Sequence, residues 1–298
     1  MWGLLVGDAL GVPYEFHRAE QLPEQIDMKP PLGFERSHRR IPPGTYSDDG
    51  AQALCLLATL VERGALDVDD LAGRLVAWYD HGYLAVDNDV FDSGVQTGLA
   101  IARLIEGVPP LEAGPTDERR NGNGSLMRVL PLALFHTGGD AELARDADLQ
   151  SRLTHGHARS RVCCALYCLW ARRFLEGHAE PWAAAVASLR GLLPAEGEER
   201  EALEFHVRPD EPAEGRGGGY VIDSLRSARM IVERHARYED AVIAAVKLGD
   251  DTDTTAAIVG GIAGVREGTG AIPGRWMEMM RGKAQAEPLI EWLAKLRG

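Results

Sequence analysis

An all-α fold, a compact helical bundle forming one domain over residues 1–298, is what the sequence predicts. Apolar residues recur at helical spacing in long segments, whereas convincing alternating strands are scarce. The connections between those segments are rich in glycine, proline and aspartate, as the turns of a helical bundle would be.

Taken in chain order, the first element is a helix on which Gly3, Gly7 and Gly11 recur every four residues and so share one face. Glycine inside a soluble helix costs about 1 kcal/mol against alanine, so a repeated stripe signals close approach of another helix. Glu15 follows it. Ser47, Asp48 and Asp49 then stand where a helix over Gln52–Val61 would begin, and Leu71–Trp78 continues the pattern. Asp92 precedes a further helix, Val95–Ile105, for which it is a candidate cap.

The stretch Gly107–Asn123, with Pro109, Pro110 and Pro115, reads as a loop, and apolar spacing resumes over Leu126–Phe135. His155 and His157 lie near the start of a helix over Val162–Phe174, whose Cys163, Cys164 and Cys168 have no partners at zinc spacing and read as reduced core residues. Leu193–Gly219 is a second loop-like stretch. Helical spacing returns at Ala241–Leu248, Gly249 is a helix stop, and Asp250, Asp251, Asp253 and Thr254 precede the Ala256–Val265 helix. There Gly260, Gly264 and Gly268 form a second stripe, and two glycine-faced helices would bring their acidic neighbours together.

The chain of 298 residues is 45% hydrophobic and 26% charged, enough for a large buried core. No apolar run approaches the roughly 20 residues needed to cross a bilayer, and Met1 to Gly7 carries no basic leader, so no membrane association and a cytoplasmic location are expected. A net charge of −13 argues against nucleic acid as a partner, because a phosphate backbone demands surplus lysine and arginine. A small or protein-borne substrate fits better.

Each acidic cluster taken alone could be a helix cap, since serine and aspartate accept from free backbone amides and favour the positive end of the helix dipole. Capping, however, uses one or two side chains, and the second cluster has four. Carboxylates alternating with threonine hydroxyls form an oxygen-rich surface suited to a hard cation: Mg²⁺, Mn²⁺ or Ca²⁺. Neither segment has an EF-hand loop, which favours Mg²⁺ or Mn²⁺, and two ions become plausible if the clusters meet.

These residues resemble the ADP-ribosylglycohydrolase family, which includes dinitrogenase reductase activating glycohydrolase and the ADP-ribosyl-acceptor hydrolases. The resemblance runs through Gly7-Asp8-Ala9-Leu10-Gly11-Val12-Pro13-Tyr14-Glu15, Ser47-Asp48-Asp49, Phe91-Asp92-Ser93-Gly94, Asn121 to Arg128, Thr154-His155 and Leu248 to Thr254. It implies a site for two Mg²⁺ or Mn²⁺ ions, with Ser47, Asp48 and Asp49 matching one ligand set, Asp251, Asp253 and Thr254 the other, and Glu15 beside them. It also implies that the segment of Asn123, Gly124, Ser125 and Met127 lines an ADP-ribose groove, that His155 contacts the ligand, and that Tyr220 packs against adenine.

Hydrolysis of an anomeric bond needs a protonated leaving group, an activated water or nucleophile, and a held sugar. Glu15, Asp48 and Asp49 are the candidates for moving the proton, and Asp92 matches an aspartate that faces the scissile linkage in arginine-type members and could meet a guanidinium. The expected activity is removal of ADP-ribose from modified side chains, arginine-linked first. Serine-linked or O-acetyl-ADP-ribose, or binding of ADP-ribose without turnover, are the alternatives. Several positions depart from the family pattern. Ser47 replaces the commoner threonine but keeps the hydroxyl, and Gly50 stands where a polar residue is frequent. Val95 stands where asparagine is common, and Asp250 replaces the usual glycine, adding charge near the metals or acting as a second cap.

Overall fold

A computed structural model describes residues 1–297. Its helices are, in order, α1 (Trp2–Gly11), α2 (Asp48–Arg63), α3 (Val68–His81), α4 (Val95–Ile105), α5 (Pro110–Ala113), α6 (Leu130–Phe135), α7 (Asp140–Arg152), α8 (Ala158–Leu175), α9 (Pro181–Leu192), α10 (Glu198–Glu201), α11 (Val221–Arg234), α12 (Tyr238–Val246), α13 (Thr252–Glu267), α14 (Gly274–Met279) and α15 (Lys283–Arg297). A π-helical turn, Ala202–Val207, continues α10. The all-α expectation holds: among the described residues the only extended pairings are two isolated bridges, Arg18 with Gly249 and Gly122 with Tyr220.

The two glycine stripes explain the centre of the fold. A Cβ on Gly3 would stand 2.3 Å from the Gly260 carbonyl oxygen, one on Gly7 would stand 2.1 Å from that of Ala256, and one on Gly11 would stand 2.4 Å from the Asp253 Cα. Backbone therefore lies against backbone along α1 and α13, a separation that any larger residue would prevent. Gly268 departs from the predicted stripe. It lies beyond the end of α13 at φ +79° with open space around it, so its spacing reflects a helix stop, while Ala256 provides the small residue opposite Gly7.

Around this pair one continuous apolar core gathers α2, α6, α8, α11 and α12. Helix α2 is buried almost throughout, from Asp48 to Leu60, and ends at Gly64 in the left-handed conformation. All four cysteines are buried and unpaired. The Leu126–Phe135 segment is helical only from Leu130; Pro131 suits the first turn of a helix and would break one that ran through it, so residues 126–129 form turns. Both loop-like stretches carry short helical pieces, α5 in the first, α10 and the π-helical turn in the second. Among the described residues no helix is long and apolar enough to cross a membrane.

Candidate metal centre and active-site cleft

The α1–α13 contact brings the two acidic clusters to one place. Thr254 donates its hydroxyl to Asp49 Oδ2 at 3.2 Å across 205 positions of sequence. At the start of α2 the capping is divided between Asp8 and Ser47. Asp8, fully buried on α1, accepts from the backbone N–H of Ser47 at 2.8 Å and of Gly50 at 2.8 Å, and Ser47 Oγ accepts from the Asp49 N–H at 3.3 Å. Capping therefore occupies neither the Asp48 nor the Asp49 carboxylate.

At the second cluster Asp251 holds the cap position of α13 yet makes no side-chain cap bond; its Oδ2 instead accepts from Asn123 Nδ2 at 2.8 Å. Asp253 Oδ1 accepts from the Thr254 N–H at 2.8 Å. Asp49 Oδ1 and Asp253 Oδ2 are buried with no hydrogen-bond partner among the described residues. A buried, unpaired carboxylate oxygen costs free energy unless something positive meets it, so these two orphans fit a cation. Glu15, Asp251 and Asp253 bring carboxylate oxygens within 4.8 Å of one another. With Asp48, Asp49, Ser47 and Thr254 alongside, the donor set is all oxygen, the chemistry of Mg²⁺ or Mn²⁺.

Electrostatics leads to the same place. Burial, followed by the repulsion of neighbouring carboxylates, holds Asp48, Asp49 and Asp253 well above the usual carboxylate range. Burial pushes Glu15 up to about 11, with Asp92, Asp251 and Asp48 adding to it, and raises Asp92 to about 6. Asp251 is also raised by burial, opposed by its bond from Asn123. Cations bound among these carboxylates would offset the cost of their charge.

The cluster floors one end of a cleft of about 630 Å³, where Glu15, Asp48, Asp92 and Asp251 reach the surface. Asp49 and Asp253 lie beneath them, fully buried. The wall above the cluster is formed by Gly122, Gly124 and Gly219, with Met127 and His155; Gly219 stands next to Asp251, whose Oδ2 a Cβ there would meet at 3.2 Å. There the backbone crosses closely: Asn123 N–H donates to Gly219 O at 3.1 Å and Val221 N–H to Asn121 O at 2.9 Å. His155 is buried and 2.8 Å from Thr154 Oγ1 through Nδ1; burial, with Arg128 nearby, lowers it to about 3, so it is a neutral imidazole. His157 caps α8 through Nδ1.

Some expected positions differ in detail. Ser125 does not line the cleft through its side chain: the hydroxyl is fully buried, 2.9 Å from Ser151 Oγ, because the 123–126 turn directs it into the core. Tyr220 stands outside the cleft wall, 41% exposed and beside Arg159. Asp92 does not cap α4, which starts at Val95 after Gly94; its backbone is left-handed, φ +57°. Asp250 caps no helix either. It is exposed on the cleft rim with φ +57°, a conformation that explains why glycine is usual there.

Three participants were assigned no role from the sequence: His38 and Gln52 carried no signal beyond residue type, and Arg128 only closed the motif that begins at Asn121. His38 arrives from the long 22–47 connection to place Nε2 2.5 Å from Glu15 Oε2 and 3.8 Å from Asp92 Oδ1. Gln52 donates to Asp48 Oδ2 at 2.8 Å and accepts from Arg128 at 2.9 Å; Arg128 is fully buried and also donates to Gln150 at 2.9 Å. Burial lowers Arg128 to about 10.

Comparison with known proteins matches residues 1–298 to the ADP-ribosylglycohydrolase family. The ADP-ribosylarginine hydrolase Tri1 of Pseudomonas putida (strain GB-1) is 31% identical over 298 residues, which cover 98% of this chain and 76% of that one. The ADP-ribosyl-(dinitrogen reductase) glycohydrolase of Rhodospirillum rubrum is 28% identical over 290 residues, 96% of this chain and 90% of that one. A solved structure described as an ADP-ribosylglycohydrolase-related protein complex superposes with a TM-score of 0.80 at 32% identity, covering 99% of this chain and 95% of the other.

Proposed function

The chain belongs to the ADP-ribosylglycohydrolase family, and we propose that it is the Mg²⁺-dependent member that removes ADP-ribose from modified arginine side chains, acting as one domain in the cytoplasm. The observation that carries the reading is the pair of orphaned buried oxygens on Asp49 and Asp253 beneath a cleft with a glycine-lined wall. The first feature suits a cation, the second a bulky phosphorylated ligand approaching the backbone.

Ser47, Asp48, Asp49, Asp251, Asp253 and Thr254 are the residues that would hold two ions. When bound, the ions would supply Lewis acidity and a grip on neighbouring ribose hydroxyls. The diphosphate would run toward Asn123, Gly124 and Ser125; among the described residues no hydrogen bond inside the protein takes up the N–H of Gly124 or Ser125. Met127 and the neutral His155 would flank the ligand, and Tyr220 at the rim would meet the adenine.

Proton movement falls to Glu15, Asp48 and Asp92, which reach the cleft. Asp49, shut beneath it, is better used as a ligand than as a proton carrier. Glu15 is held by His38 and is the group to give a proton to the leaving nitrogen or oxygen, or to take one from the attacking water. Asp92 would face the departing side chain, where a carboxylate complements a guanidinium. The name of the Pseudomonas relative, an ADP-ribosylarginine hydrolase, supports the arginine linkage. Buried, unpaired cysteines suit a reducing compartment.

The test is release of free ADP-ribose from ADP-ribosyl-arginine with Mg²⁺, with a chelator, and by the Asp251→Ala variant. Turnover is expected only in the first case. Faster release from ADP-ribosyl-serine or O-acetyl-ADP-ribose would transfer the assignment to that linkage, and ADP-ribose binding without release from any conjugate would make the protein a binding module.

A further inference from the structure

Eight non-glycine residues have a left-handed backbone among the described residues, and four of them converge on the acidic end of the cleft: Phe16, His38, Asp92 and Asp250, at φ +62°, +47°, +57° and +57°. Left-handed backbone disfavours a Cβ, most of all on a bulky residue, and persists where the surrounding structure enforces it. His38 and Asp92 are explained by their contacts around Glu15. Phe16 and Asp250 are not.

These two are held as a pair. Phe16 N–H donates to Asp250 O at 2.8 Å and Asp250 N–H donates to His17 O at 2.7 Å, so two left-handed residues stand opposite each other at the mouth. Phe16 leaves 70% of its surface exposed and lines the cleft. Its ring centroid lies 5.6 Å from that of His38, which puts it at the end where Glu15 and Asp92 stand. Asp250 lines the same mouth, and among the described residues no hydrogen bond or ion pair engages its carboxylate. Apart from the contact of the Phe16 ring with His38, neither side chain is used by the fold.

We infer that Phe16 and Asp250 form the subsite for the departing acceptor side chain and select a planar cation, a guanidinium, by an aromatic face and a carboxylate. The inference rests on the arginine-linked reading and extends it to residues outside the metal cluster. Asp48, Asp49 and Asp253 are buried around the proposed ions and Asp251 is half-buried beside them, whereas Asp250 stands in solvent beyond them, where its carboxylate is open to the acceptor. A guanidinium stacks on an aromatic ring and pairs with a carboxylate through its flat fork of N–H donors, which a compact ammonium does less well. Val95, 79% exposed on the same cleft, adds an apolar edge for the methylene stem.

The experiment compares KM for ADP-ribosyl-arginine with the calorimetric Kd for ADP-ribose, which lacks the acceptor, in the Mg²⁺-loaded wild type, Asp250→Asn and Phe16→Leu. Leucine keeps apolar bulk while removing the aromatic face. Each substitution is expected to raise KM about fivefold to tenfold while Kd changes less than twofold. Asp250→Gly, which suits the left-handed backbone, should match Asp250→Asn in KM and gain thermal stability, so misfolding is separated from lost recognition. KM and Kd moving together, or neither moving, overturns the subsite. Absence of ADP-ribosyl-arginine turnover by the wild type overturns the arginine reading itself and the subsite with it.

Discussion

Asn123 Nδ2 donates to Asp251 Oδ2 at 2.8 Å, and the same amide donates to Ser224 Oγ at 3.0 Å. The bond ties the turn that faces the ligand to a proposed metal ligand 128 positions away. Asn123→Asp would set a second carboxylate against Asp251 and remove the donor. Mg²⁺ affinity is expected to fall about 10-fold to 100-fold, read by calorimetry, the usual scale for losing a bond that orients a ligand. A variant that binds Mg²⁺ like the wild type would dissociate the turn from the metal site.

Asp253 has one buried oxygen with no partner among the described residues, and its removal should act in opposite directions with and without metal. Asp253→Asn keeps the shape and removes a charge that is costly to bury. In chelator, its Tm should exceed that of the wild type. In saturating Mg²⁺ the order should reverse, because ligand binding to the folded state stabilises only the protein that retains the site. Thermal unfolding of both proteins under both conditions checks the crossing.

The raised carboxyls also fix the sign of a pH dependence. A group whose folded pKa lies above its unfolded value adds stability that is complete below the unfolded value and disappears as pH rises through the folded one. Glu15, raised to about 11, therefore still loses stabilisation above pH 8, and Asp48, Asp49 and Asp253, raised by burial and by their neighbours, carry the same sign. The opposing contribution from His155, lowered to about 3, is complete by about pH 8; that of the Met1 amine, lowered to about 5 from an ordinary value of 8.0, adds only a small remainder above it. Metal-free protein should lose Tm between pH 8 and 9, and Mg²⁺ should reduce that loss; buried cysteines share the sign and leave a remainder in both states. An unchanged metal-free Tm would count against charge repulsion in the cluster.

Local periodicity and paired stripes were readable from residue order because they depend on spacing. Gly3, Gly7 and Gly11 announce a close helix contact at any distance along the chain, and their contact with α13 unites Asp49 with Thr254. Gly268 shared the spacing but not the helix, since a four-residue interval cannot tell a packed face from a terminus. Asp8 illustrates a different blind spot. It belongs to a motif, yet nothing local reveals that its carboxylate caps α2 and so leaves Asp48 and Asp49 for other work. His38, on an irregular connection with no periodicity, becomes meaningful only once tertiary structure sets it against Glu15.

His38 is therefore the residue whose role depends most on tertiary structure. Nε2 lies 2.5 Å from Glu15 Oε2, while the ring is held between Phe16 and Phe91 at centroid distances of 5.6 Å and 5.1 Å. The histidine thus acts as a positioning residue for a carboxyl group, with its own orientation fixed by aromatic packing. His38→Ala should free Glu15 to rotate and lower kcat for ADP-ribose release about 10-fold to 100-fold, the usual cost when a catalytic group loses its alignment. The Kd for ADP-ribose, which depends on the glycine-lined wall, should change little. His38→Gln offers an N–H at similar reach and should recover part of kcat. If alanine and glutamine lose kcat equally, aromatic packing of the loop matters more than the bond to Glu15.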